Sequence, residues 1–198
     1  CIRDRSKESA RWVIFYFCIF LISHSIVHAT LIKKVDITVA AYFNLTFVPA
    51  EFLFIAYFFY KYLGYEFHRK LVVILGVVFF LVWIPLAIQD PFEGFDSITN
   101  GVESLIIIAF SLLYFYEQLR YPKSLFIYTH PAFWTVAAFF IFACGTFFVF
   151  IYRQTSWEID SFVYQYAYIH ALSGTVRNVL FSIGMLVNPD KSPTPELT

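Results

Sequence analysis

Four side chains with chemical potential stand inside stretches otherwise as apolar as lipid: His24, His28, Glu103 and His170. His24 and His28 lie four residues apart in LISHSIVHAT, so on a helix they share a face. Three imidazoles and a carboxylate match the nitrogen and oxygen donors that zinc takes tetrahedrally. The same groups can instead line a polar pocket, or hydrogen-bond across helices with no ion. Two expectations follow. One is a ligand pocket of His24, His28, Glu103 and His170; the other is a zinc site of His24, His28 and His170.

A second constellation concerns charge. Glu51 and Arg177 each sit deep in an apolar run. Counting ~1.5 Å per helical residue puts both near the middle of a bilayer. An unpaired charge there costs at least ~2.5 kcal/mol, so an ion pair between them is expected. Asn44 is seven residues from Glu51, on the same helical face, and Ser173 and Asn178 flank Arg177 in a stripe with His170 and Gly174. These residues are expected to form one buried polar network, with Asn44 and Asn178 meeting the leftover hydrogen bonds.

The elements that position these groups follow from composition. The chain is 60% hydrophobic and 14% charged, against about 45–50% and about 25% in ordinary soluble domains. A spanning helix needs about 20 mostly apolar residues. Six segments fit: 12–31, 38–60, 71–88, 101–119, 132–152 and 162–187. The ten-residue alternation of a membrane barrel is missing. The expected fold is all-α, a polytopic transmembrane helix bundle of six helices. It divides into a basic cytoplasmic lead-in (1–11), the bundle (12–187) and a short flexible cytoplasmic tail (188–198). The 71–88 segment, nearly all aliphatic and aromatic, is expected at the lipid-facing edge. Ala138, Gly145 and Thr146 suit a close helix contact.

Orientation follows from lysine and arginine in the connections. Ten fall on one side (Arg3, Arg5, Lys7, Arg11, Lys61, Arg69, Lys70, Arg120, Lys123, Lys191) and three on the other (Lys33, Lys34, Arg153). Both ends of this stretch are therefore expected in the cytoplasm, with QDPFEGFDSITN facing out. The cytoplasmic (inner) membrane of a bacterium is the expected location.

Other chemistries find no footing. There is no phosphate-binding glycine loop and no serine elbow, and the formal net charge of zero points to no nucleic acid. Cys1, Cys18 and Cys144 give no disulfide framework. A retinal protein needs a Schiff-base lysine in its last helix, and 162–187 has none. An alkaline-ceramidase-like zinc hydrolase is partly matched by Ser23, His24, His28 and His170, but a second histidine pair in the last helix is lacking.

The segments NLTFVPAEFLFIAYFFYKYLG, ESLIIIAFSLLYFYEQLR, FWTVAAFFIFACGTFFVFIY and VRNVLFSIGML resemble a family of uncharacterised small seven-helix membrane proteins common in Bacteroidetes-type bacteria. The resemblance implies one further helix before this stretch and no known activity. It also departs at one point: the family more often has a carboxylate where this chain has His24 and His28, which weakens the metal reading.

Three functions remain open. The first is a sensing or binding protein that signals from its polar pocket to a partner through the basic loops. The second is an accessory subunit of a larger membrane complex, and the third a zinc-dependent membrane hydrolase. Membrane lipids and a membrane protein partner are expected in either of the first two cases, and an enzyme is the least favoured.

Overall fold

A computed structural model describes the backbone of residues 2–34, 37–89, 97–121, 127–153 and 159–187. Side chains are described over 11–31, 45–88, 98–121, 127–149 and 168–187, together with Val39 and Phe43. Among these residues the chain is an all-α bundle without strands. Its helices are α1 (Ile2–Lys34), α2 (Ile37–Tyr62), α3 (Glu66–Gln89), α4 (Ser97–Arg120), α5 (Pro131–Arg153) and α6 (Ile159–Leu186), with a single 3-10 turn at Ile127–Thr129.

The helices run further than the apolar runs that announce them. IRDRSKESAR contains neither proline nor glycine, so α1 continues through the charged lead-in that sequence treats as a separate segment. Likewise Ser97–Asn100, assigned from sequence to an outer loop, form the first turn of α4. The rest of that loop (90–96) and the tail (188–198) lie outside the described residues. Among the described residues four segments are long and apolar enough to cross a membrane: Arg11–Leu31, Glu66–Ile88, Ile98–Arg120 and Pro131–Val149. The two other helices, α2 and α6, are 26 and 28 residues long and carry Glu51 and Arg177.

Sequential helices pack side by side, and α6 returns to α1, so the bundle closes on itself. Lipid tails are as apolar as leucine, so in a membrane helices associate by van der Waals fit rather than by escape from water. Phenylalanine supplies that fit with a large rigid ring. Phe17 of α1, Phe58 and Phe59 of α2, Phe110 of α4, Phe139 of α5 and Phe181 of α6 are all buried. Phe139 is at their centre, edge-on to Phe17 at 5.5 Å and to Phe181 at 5.4 Å.

The closest approach joins α5 and α6. A Cβ added at Gly145 would run into the Ser173 hydroxyl, and one at Gly184 would meet the Trp134 Cβ at 3.2 Å. Two glycines on opposite helices thus let the backbones close at both levels. At the C-terminal end of α6, Arg11 donates to the Val187 carbonyl at 2.6 Å. A cation there also suits the negative end of the helix dipole.

Helix α3 touches only α2 and α4 extensively. Val73, Ile74, Val77, Leu81, Ile84 and Ile88 are exposed along its outer side, as the sequence expects of a helix at the edge of the bundle.

Candidate functional site

The two charges of the apolar runs meet. Arg177 Nη1 lies 3.4 Å from Glu51 Oε1, with both side chains nearly nine-tenths buried. The guanidinium also stands 4.1 Å from the centre of the Phe142 ring, as in a cation–π pair. Cys18 of α1 and His170 of α6 lie within electrostatic reach of Arg177. Four helices thus contribute side chains around one buried cation.

Glu103 belongs to this centre. It is 7% exposed, and its Oε1 has no hydrogen-bond partner. Its charged neighbour is Glu51, reached from α4. Arg177 Nε is likewise without a partner. The site therefore joins two carboxylates through Glu51, the one paired with the guanidinium, with hydrogen-bonding capacity left over on Glu103 and on Arg177.

The remaining residues of the expected network separate. Ser173 is buried at the α5–α6 contact. Asn178, expected to complete the ion pair, is exposed. One residue on from Arg177 is a turn of ~100° about the helix axis. The buried side of α6 follows Ser173, Phe181 and Gly184 instead. Asn44 has its side chain outside the described residues.

The expected histidine pocket also divides. His24 packs in aromatic company on α2, its ring 3.9 Å from Phe47 and 4.8 Å from Phe43, with His28 5.8 Å away on its own helix. His170 stands edge-on to Phe142 at 5.4 Å. Among the described residues no three His, Cys, Asp or Glu side chains are grouped to hold a metal ion, so His24, His28 and His170 do not form the expected zinc set. The reason is helix adjacency. The histidines of α1 address α2, whereas His170 lies on α6 beside α5, and Glu103 keeps company with Glu51.

No family model, curated protein or solved structure matches this chain. The site's chemistry must be read from its own geometry.

Sequence reasoning passed over a second polar centre, at the other end of α4. Glu117 is buried and accepts from the backbone N–H groups of Gly64 at 2.6 Å and Tyr65 at 3.1 Å, and it lies 2.5 Å from His68 Nδ1. Its carboxylate so ties down the three-residue turn between α2 and α3. Arg69 secures the other side of that turn by donating to the Leu63 carbonyl at 2.9 Å. Around it, Arg120 lies 5.8 Å from the Tyr121 ring centre and 6.0 Å from that of Tyr116. Partial desolvation and a hydrogen bond with Tyr121 push the Tyr65 phenol up to about 12. Tyr121 is held below its ordinary value, first by the hydrogen bond from Arg120.

A signal for Glu117 was present. Glu103, Phe110, Tyr114 and Glu117 recur at spacings of seven, four and three residues, which is one helical face.

Proposed function

We propose that this chain is an integral membrane binding and sensing protein. Its responsive centre is Arg177–Glu51–Glu103, and α4 carries the state of that centre to the turn at 63–65. The observation behind this reading is that Glu103 and Glu117 share the buried face of one helix, 14 residues or ~21 Å apart. A shift or rotation of α4 that accommodates a ligand at Glu103 also moves the carboxylate that holds the α2–α3 turn. That turn adjoins Lys61, Arg69, Lys70 and Arg120, the basic end of the bundle. By the distribution of lysine and arginine this end is cytoplasmic, the C-terminus is with it, and the location is a bacterial inner membrane. In this arrangement α2 and α6 also span, bringing Glu51 and Arg177 to mid-membrane, and lipid covers the outer side of α3.

Hydrogen exchange read by mass spectrometry tests the coupling in the full chain reconstituted in lipid. Glu103→Gln is expected to change exchange across 63–69 while the core of α5 stays protected. If 63–69 is unaffected, the sensing reading fails.

A second reading, an accessory subunit, is favoured by the outer side of α6. Thr175, Asn178 and Ser182 are exposed there, although the Thr175 and Ser182 hydroxyls bond back to their own helix. Polar groups turned toward lipid are better placed against another protein. Gentle extraction and native mass spectrometry discriminate: a larger complex supports the subunit reading, and a lone chain counts against it.

A further inference from the structure

Glu103 supplies the deeper inference, which rests on the reading of Arg177–Glu51–Glu103 as the responsive centre. Burying an ionised carboxylate is expensive unless it is paired and hydrogen-bonded. Glu51 satisfies that condition through Arg177. Glu103 does not: it is more than nine-tenths buried, its Oε1 has no partner, and its charged neighbour has the same sign.

The surroundings show where the missing positive charge can come from. On α2 the facing group is Glu51; Arg177 of α6 is reached through Glu51, its ion-pair partner, and the charged neighbour of His170 is Arg177. Helix α1 offers Cys18 beside Arg177. Among the described side chains of α5 the titratable group is Cys144. From Leu71 to Gln89, α3 has no ionisable side chain at all. It brings instead the indole N–H of Trp83, also buried without a partner. Trp83 and Glu103 are each six residues from the outer ends of their antiparallel, adjacent helices, so they lie at similar depth. On α4 itself, Glu117 is committed to the inner turn.

The one guanidinium is thus paired with Glu51, and no cationic side chain among the described residues of the packed helices is an electrostatic neighbour of Glu103. We propose that Glu103 and Glu51 together bind one monovalent cation, a proton or an alkali-metal ion, and that this cation neutralises the centre. As the stimulus, the cation would be admitted from the outer side, to which Glu103 is the nearer of the two acids along its helix.

Infrared difference spectroscopy across pH, on the full chain in lipid vesicles, reads the proton directly. A protonated carboxyl has a C=O stretch that shifts in heavy water. Expected is such a band, lost in Glu103→Gln and moved in Glu103→Asp. The second variant guards against a misfolded first, and the wild-type band itself needs neither. Equilibrium dialysis with radioactive sodium reads the alkali ion, expected at up to one ion per chain and lost in the same variants. A band without sodium makes the cation a proton, and bound sodium makes it the metal ion. If wild type shows neither, or if both signals survive in Glu103→Gln, the proposal is wrong. Cation binding without altered exchange at 63–69 would sink the sensing reading and leave the site standing. Altered exchange without a bound cation would do the reverse.

Discussion

The two buried carboxylates of α4 have opposite circumstances. Glu117, near the C-terminal end of α4, is bonded by two amide donors and His68. Glu103, towards its N-terminal end, has an oxygen with no partner and a like-charged neighbour. Both are buried to nearly the same degree, so depth does not separate them; satisfaction does. A fully bonded carboxylate fixes structure, because charge-assisted bonds to several donors hold them in one arrangement. An incompletely bonded one keeps capacity to take something up. The comparison teaches that the same residue type on the same helical face is an anchor at one end and a candidate receptor at the other.

Mutations can break that contrast, and the largest effect is expected between the two ends. Arg177→Met leaves Glu51 without its partner in the bundle centre. Removing one member of a buried pair costs about 3–5 kcal/mol, read as loss of folded protein on heating in detergent. The charge swap Glu51→Arg with Arg177→Glu should recover part of that loss, and a swap no better than either single change would refute the pair. Glu117→Gln comes next. It removes the charge behind two backbone bonds, each worth about 1.5–3 kcal/mol when the acceptor is ionised, and should speed hydrogen exchange at Gly64 and Tyr65.

Smaller effects sharpen the picture. Gly145→Ala forces the Ser173 hydroxyl to move, and overpacking of this kind costs about 1–3 kcal/mol. Ser173→Ala in the same chain should relieve most of it, as thermal denaturation of the pair would show. Last is the Tyr65–Tyr121 pair. Tyr65, pushed up to about 12, binds its proton more tightly folded than unfolded. Its contribution to stability is therefore complete below the ordinary tyrosine range near 10 and is lost as pH climbs through about 12. Tyr121, held low by Arg120, should ionise first in an ultraviolet titration, and Tyr121→Phe should remove that early phase.

Much of the fold was legible because the bilayer sets a length and uniform greasiness marks it. Helix ends were not, since charged residues such as those of Ile2–Arg11 continue a helix as readily as they end a span. The Glu51–Arg177 pair was legible from position alone: two lone charges deep in apolar runs have few places to go. Asn178 was misplaced because a stripe drawn through 170, 173, 174, 177 and 178 is wider than the buried side of α6. The histidines were grouped with Glu103 because sequence gives depth but not which helices are neighbours. Glu117 went unnoticed because a carboxylate near a span's end reads as solvated, and nothing in its own segment reveals the Gly64 and Tyr65 amides that fold onto it.

The most direct test is a side-by-side thermal unfolding of Glu103→Gln and Glu117→Gln in the same lipid environment. Both replacements are isosteric, and both remove one buried carboxylate from the same face of α4. Glu117→Gln is expected to melt well below wild type, while Glu103→Gln, which breaks no hydrogen bond at Oε1, is expected to melt at or above it. Equal destabilisation by the two changes would contradict the account, because Glu103 would then be as much an anchor as Glu117.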